Sequence, residues 1–239
     1  MIRLRPFTRL MPYDVYERHK VVSSLLQSAL PPQEKAPFIL DVGGRIDLLE
    51  QFLPYRVLSV NPDGTGAVYA SGAALPFAEG TFTAVVSIDT LEHLPPGIRL
   101  PFVRECLRVA RQYVIIAAPY GSPAHIQREK ELHELYQKGR GRSHPYLSEH
   151  IRYGLPTPGQ LDQIEQNISP ATVTRYYAGD YVWQGHTFAR AVRAAGQPRL
   201  QARLTNLYNR IISMAWLHPI RVTPTPTATT NRFYWLIQK

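Results

Sequence analysis

The chain has 239 residues, 44% of them hydrophobic and 19% charged, with a formal net charge of +9. That length suits one sizeable α/β domain with additions, or at most two small domains, and the composition is ordinary for a folded soluble protein. No apolar run approaches the ~20 residues needed to span a bilayer, and a single cysteine, Cys106, excludes an internal disulfide.

The start, Met1-Ile2-Arg3-Leu4-Arg5-Pro6, is basic, but no uninterrupted apolar segment follows it. No secretory signal is expected, and a cytoplasmic location is. Residues 13–30 read as a helix with Val15, Val22, Leu25, Leu26, Ala29 and Leu30 on one face, stopped by Pro31-Pro32. A strand follows at 37–42. Its run Phe38-Ile39-Leu40-Asp41-Val42-Gly43-Gly44 is apolar and ends in an acid and two glycines. Such a run reads as a buried parallel strand entering a tight turn, the place where open α/β sheets bind nucleotides.

A second strand fits 56–60, ended by Asn61-Pro62-Asp63-Gly64, a third 66–70 and a fourth 84–88. A helix is predicted at about 97–110, with Cys106 on its buried face beside Phe102, Val103, Leu107 and Ala110, and a fifth strand at 112–118. Strands alternating with helices imply βαβ units in a doubly wound, mostly parallel sheet. The second half is less regular. It is read as a charged helix at 124–138, a His-, Pro-, Tyr- and Gly-rich loop at 139–159, a strand at 171–177 and a helix at 180–195.

Residues 200–216 form the cleanest amphipathic pattern. Leu200, Leu204, Leu207, Tyr208, Ile211, Ile212 and Ala215 line one side, and Arg203, Asn206 and Arg210 the other. This helix is expected to cover the sheet. The alternative is docking to a partner or a membrane surface, because Trp216, His218 and several arginines lie nearby. A Thr/Pro linker at 223–230 precedes a last strand at 232–238. The whole reads as one domain over 1–239: an N-terminal helical segment (1–36), a cofactor-binding core (37–120) and an acceptor side (121–239).

The glycine pattern narrows the ligand. A dinucleotide turn needs G-x-G-x-x-G, yet Gly43-Gly44 is followed by Arg45-Ile46-Asp47 and no glycine returns until Gly64. No P-loop is present either. The turn suits a nucleoside without phosphates, such as S-adenosylmethionine, with Asn61 or Asp63 at about the right distance to bind a ribose diol.

The segment Ala73-Ala74-Leu75-Pro76-Phe77-Ala78-Glu79-Gly80-Thr81-Phe82 runs into Ala84-Val85-Val86-Ser87-Ile88-Asp89-Thr90-Leu91-Glu92-His93-Leu94. This order of L-P-F, a phenylalanine before the strand and L-E-H after it resembles the class I S-adenosylmethionine-dependent methyltransferases, in their small-molecule branch, over about residues 36–120. The resemblance implies a seven-stranded sheet with a reversed final hairpin. In it, 171–177 and 232–238 are strands six and seven, with helical additions between them. It implies S-adenosylmethionine as cofactor, held by Asp41, Gly43, Asn61 and Ser71, and Gly44, Arg45, Asp63, Ala73 and Asp89 are further expected cofactor contacts. The run His144-Pro145-Tyr146-Leu147-Ser148-Glu149-His150, followed by Gly154-Leu155-Pro156, resembles a subset encoded beside glycosyltransferases, which implies a glycan acceptor.

Five positions depart from the family pattern. Arg45 and Asp47 replace glycines, Asn61 replaces an acid, and Ser71 and Thr83 stand where aspartates are common. Asp47-x-x-Glu50 reads as a capping box that starts a helix, and Arg45 as a partner for the cofactor carboxylate.

Methyl transfer needs alignment above all, and an alcohol or amine acceptor gains from a base within hydrogen-bond reach. His93 is the candidate base, and His144, Tyr146 and His150 are candidate acceptor contacts, with Glu149 in the same loop. No metal is expected, since His144 and His150 have no third ligand at helical spacing and no Cys pair exists. Asp89 is followed by Thr90-Leu91-Glu92 rather than by the prolines of base-modifying enzymes, so nucleic acid is not the expected partner, despite the charge. The function expected is methyl transfer to a small molecule, sugar or lipid-linked glycan, with peripheral membrane contact. The rivals are a catalytically silent methyltransferase-like binding domain and, more weakly, an RNA methyltransferase.

Overall fold

Phe38–Val42 forms strand β1. Its near-continuous apolar run is the signature of a strand covered on both faces, and it lies between two parallel neighbours, Arg56–Val60 (β2) and Phe82–Ile88 (β3). The computed structural model describes residues 8, 11–34, 36–214, 217 and 219–239. The basic start at 1–6 and the expected contacts of Ala215, Trp216 and His218 lie outside the described residues.

The sheet continues through Ala110–Pro119 (β4), parallel to β3, and ends in a reversed hairpin. Thr230–Gln238 (β6) inserts antiparallel between β4 and Thr172–Asp180 (β5), giving the order β2-β1-β3-β4-β6-β5. The alternation along the strands sorts two cores. Leu40, Val85, Val114, Ile116, Phe233 and Trp235 pack on one face. Ile39, Ala84, Val86, Ile115, Ala117 and Tyr234 pack on the other. The first face is covered by Pro96–Val109 (α2) through Phe102 and Val103, and by Pro158–Gln166 (α5) through Leu161 and Ile164. The second is covered by Tyr13–Ala29 (α1) through Val22 and Leu26.

The described sheet has six strands, not the seven expected. The segment 66–70 makes a single parallel bridge, Val68 to Val60, and then turns away at Ser71-Gly72. The capping box expected at Asp47 is also absent. The link between β1 and β2 is residues 43–55, holding only a 3-10 turn, Leu49–Gln51. Asp47 has φ 63, and its backbone carbonyl accepts from Gln51 Nε2 at 2.8 Å. Thirteen residues are barely enough for a parallel crossover, which takes about a dozen or more, and leave no room for a full helix.

The expected loop at 139–159 is largely helical. Pro123–Arg140 (α3) ends at Gly141 (φ 67), after which Pro145–Tyr153 (α4) and α5 follow. Each starts on a capping residue followed by proline: Ser122-Pro123, His144-Pro145 and Thr157-Pro158. Proline suits the first helical position because its missing N–H has no intrahelical partner there. Between β5 and β6 lie Tyr181–Ala194 (α6) and Arg199–Ile212 (α7). Helix α6 packs on α3, and α7 packs on α6.

The expectation that α7 covers the sheet is overturned. Asn209 is its one buried residue, while Leu200 is 70% exposed and Leu204, Leu207, Tyr208 and Ile211 are exposed with it. Both sheet faces are already occupied by other helices, so α7 attaches to α6 by its polar side. Arg190 Nη1 donates to Asn209 Oδ1 at 3.1 Å, and the apolar side is left outward. Among the described residues no helix is long and apolar enough to cross a membrane.

Candidate active-site cleft

The strand order reverses between β1 and β3, since β2 lies to one side of β1 and β3 to the other. In open α/β sheets the crevice at such a switch point, beyond the carboxyl ends of the strands, holds the ligand. A cleft of ≈ 1390 Å³ opens there, lined by Gly43, Gly44, Asn61, Ser71, Asp89 and Thr90 among others.

The floor is built by the turn after β1. Gly43 has φ 83 and donates its N–H to Val60 O, and a Cβ on it would lie 2.1 Å from Thr90 Oγ1. A Cβ on Gly44 would lie 1.9 Å from Asp41 Oδ2. Gly43 is therefore required by the close approach of the turn after β3, and Gly44 by the Asp41 carboxyl packed against it. Asp41 is buried beneath them, and burial, aided by Glu50, pushes its carboxyl up to about 7. Asn61 Nδ2 donates to Gly43 O at 3.0 Å and to Thr65 Oγ1 at 3.1 Å, so it braces the floor. Asp63 Oδ1 accepts from the backbone N–H and the hydroxyl of Thr65, which hold its carboxyl below the usual carboxylate range. Arg45 is exposed at the cleft edge. Ser71 lines the cleft on an exposed turn, its Oγ accepting from the N–H of Ala73, which is half-buried and not among the cleft-lining residues.

Asp89 sits at the end of β3 with φ 51, and its carboxylate is already taken. Arg232 Nε and Nη2 reach its two oxygens at 2.7 and 2.8 Å, and Arg18 Nη1 reaches Oδ2 at 2.8 Å. The two guanidinium groups hold the Asp89 carboxyl far below the ordinary range against the penalty of burial. Asp89 thus orders two cleft-lining arginines, and neither was singled out by the sequence. A buried arginine and a surface arginine look alike in a sequence.

The 3-10 turn Leu91–His93 and helix α4 bring the other predicted residues together. His93 stands 4.9 Å from the His150 ring and 5.6 Å from Tyr146, centroid to centroid. His93 Nδ1 lies 2.6 Å from Glu149 Oε2, and His150 Nδ1 lies 3.0 Å from Glu129 Oε2. Burial and the neighbouring His150 lower the His93 pKa, opposed by Glu149. Burial lowers His150, but the bond to Glu129 together with the charges of Glu129, Glu92 and Asp89 raises it on balance. Glu92, next to His93, is buried and pushed up to about 8 by burial and by Asp89. His144 lies apart as the α4 cap, its Nδ1 accepting from Leu147 N and its ring packed between Tyr136 and Phe188. Sequence spacing missed Glu129, and it missed that Glu92 joins His150. Their elements meet only in space.

Arg99 secures this layer from below. It is fully buried on α2, with Nε donating to Leu94 O, Nη1 to Gln160 Oε1 at 2.8 Å, and Nη2 to Tyr153 O and Gly154 O. One side chain thus ties the turn at His93 to the end of α4 and the start of α5.

No protein-family model matches the chain, and no curated protein matches it. Solved structures do. A methyltransferase dependent on S-adenosylmethionine from Thermotoga maritima superposes with a TM-score of 0.53 at 11% identity, over 95% of this chain and 93% of its own. A protein provisionally assigned as a methyltransferase of an antibiotic biosynthesis pathway in Anabaena variabilis gives 0.52 at 14% identity, over 95% and 98%. A provisional sarcosine dimethylglycine methyltransferase from Galdieria sulphuraria gives 0.51 at 14%, over 91% and 83%. Together with the switch-point cleft and the reversed hairpin, these likenesses identify the architecture: the chain has the fold of the S-adenosylmethionine-dependent methyltransferases.

Proposed function

We propose that the protein transfers a methyl group from S-adenosylmethionine to a small molecule, a sugar or a lipid-linked glycan. The observation that carries this reading is the composition of the switch-point cleft. Its floor offers the buried Asp41 carboxyl and the tight Gly43-Gly44 turn, but no full helix N-terminus of the kind that holds a pyrophosphate. These residues fit an uncharged nucleoside joined to a zwitterionic amino acid. Asp41 would meet hydroxyl or ammonium donors, which favour its ionised form. The ribose would lie against Asn61 and Asp63, the adenine against Ser71, and the carboxylate within reach of Arg45.

The cofactor brings a methyl group already activated on a sulfonium, so the chain has to align the acceptor and exclude water. Residues on the 3-10 turn Leu91–His93 and on α4 also line the cleft, and form the acceptor side of this reading. In this reading His93, hydrogen-bonded to Glu149, would take an acceptor's proton. Tyr146 and His150 flank it, and His144 bounds the same wall.

Helix α7 favours an acceptor presented at a membrane. Its exposed leucines form one arc, and at about 3.6 residues per turn Arg199, Arg203 and Arg210 fall along one flank of it. An apolar arc beside basic side chains fits the interface of an anionic bilayer. Arg210 also lines the cleft, so the arc adjoins the cleft mouth.

A thermal-unfolding comparison tests the cofactor assignment. S-adenosylhomocysteine at about 100 times its dissociation constant is expected to add ~2.7 kcal/mol of stability. ATP and NAD are expected to add none. Stabilisation by ATP or NAD but not by S-adenosylhomocysteine contradicts the reading, and no response to any of the three favours a silent binding domain.

A further inference from the structure

Glu92, His93 and His150 converge on one point of the cleft wall. Their nearest ligand atoms all lie within 4.8 Å of one another. Glu92 is 1% exposed, and its Oε2 has no hydrogen-bond partner among the described residues; neither has the buried Nε2 of His150. His93 Nε2 stands 3.9 Å from Glu92 Oε1.

The outer groups fix the chemistry of the inner ones. Each imidazole has a carboxylate on its Nδ1: Glu149 at 2.6 Å on His93, and Glu129 at 3.0 Å on His150. A carboxylate accepts, so Nδ1 donates, and in the neutral ring Nε2 then carries a lone pair. With both rings neutral and Glu92 ionised, two such lone pairs and a carboxylate face each other. Acceptors gathered in a buried spot repel unless a cation sits among them. Histidines braced by a carboxylate on the far nitrogen are the usual outer arrangement of a metal site.

We propose that Glu92, His93 and His150 bind one divalent first-row transition-metal ion through a carboxylate oxygen and two Nε2 atoms, with Glu149 and Glu129 as orienting partners. Two imidazoles and one carboxylate suit such ions and leave coordination positions open. Bonds of about 2.1 Å place ligand atoms roughly 3–3.5 Å apart, so the side chains need to close by roughly 1–2 Å. All five residues line the cleft. On the methyl-transfer reading, on which this one extension rests, the open positions would hold an acceptor hydroxyl. Its proton passes to water, and its oxygen bonds to the methyl carbon as the carbon–sulfur bond breaks. His93 is then a ligand rather than a free base.

The test is calorimetric titration of chelator-stripped full-length protein with Zn²⁺, with Co²⁺ absorption as a second readout. The expected result is one ion per chain with a dissociation constant below about 10 µM, and visible Co²⁺ bands. Glu92→Gln and His150→Ala are expected to weaken binding at least about a hundredfold, and Glu149→Gln about tenfold. His186→Ala, on an exposed face of α6, is expected to bind like the wild type. Far-UV circular dichroism checks that each variant is folded, and a folded Glu149→Gln still carries all three ligands if another variant is not. A dissociation constant above about 10 µM, or binding that survives Glu92→Gln and His150→Ala, overturns the proposal. In that case a protonated His150 paired with Glu92 explains the geometry. Separate titration with S-adenosylmethionine keeps the two readings distinct: metal binding without cofactor binding removes only methyl transfer, and the converse removes only the metal.

Discussion

Asp41 shows how one buried carboxyl gives the cleft a pH signature. Its pKa rises from the ordinary 3.8 to about 7 on folding. Between these values the folded state holds a proton that the unfolded state has released, so stability falls as pH rises from about 4 to about 7. Full burial makes the effect large, on the order of 2–4 kcal/mol at pH 8. Urea unfolding of the ligand-free protein should therefore show a midpoint that declines across this window. Asp41→Asn should flatten that decline; an equally steep fall in the variant would assign it to other groups. Gly43 is a poor place to test ligand binding, because its positive φ and the contact with Thr90 make any side chain a strain on the turn itself. At this scale the sequence was legible where backbone demands a residue type, as at Gly43. It was illegible where a side chain's partner lies far along the chain. Asp89 reads as a cofactor contact, but Arg232, 143 positions away, occupies it. Arg232→Met should cost at least about 3 kcal/mol, because it leaves the Asp89 carboxylate buried with Arg18 as its main counter-ion; chemical denaturation measures it, and a loss under ~1 kcal/mol would contradict this role.

Helices α4 and α5 were legible in principle. His144-Pro145 and Thr157-Pro158 are each a capping residue followed by a first-turn proline, and Thr157 completes a capping box with Gln160. The density of His, Pro and Gly masks that signal and reads as loop. Helix α7 is the opposite case: its existence and its apolar face follow from periodicity, but which neighbour covers that face does not. Two predictions belong here. Arg99→Met removes the donors that tie Leu94, Tyr153, Gly154 and Gln160 together, and should destabilise the protein by about 3 kcal/mol. Hydrogen exchange should show α4 opening first; uniform loss of protection across the sheet would contradict a local tie. Leu204→Glu with Leu207→Glu should cut partitioning onto anionic vesicles by at least about tenfold while leaving the unfolding midpoint nearly unchanged, since both side chains are exposed. The wild type should bind less tightly as salt rises. Binding to neutral vesicles at the same strength, or a variant that partitions like the wild type, would assign the helix another role.

For the whole molecule, the alternation of apolar strands with helices carries most of the fold, because strands covered on both faces write themselves as unbroken apolar runs. What it misses is economy. The link after β1 is thirteen residues and holds a 3-10 turn, and the segment after β2 makes one bridge instead of an edge strand. The same shortening removes the helix that would bind a pyrophosphate, so the fold and the ligand class have one physical origin. This cleft is expected to hold S-adenosylmethionine. Isothermal titration of the cofactor into the wild type and into Ser71→Trp measures it directly, since Ser71 lies on an exposed turn where a bulky side chain fills the cleft without entering the core. One site per chain is expected, with a dissociation constant well below ~1 mM, weakened at least about tenfold in the variant. No heat of binding near ~1 mM cofactor, or equal affinity in Ser71→Trp, would contradict it.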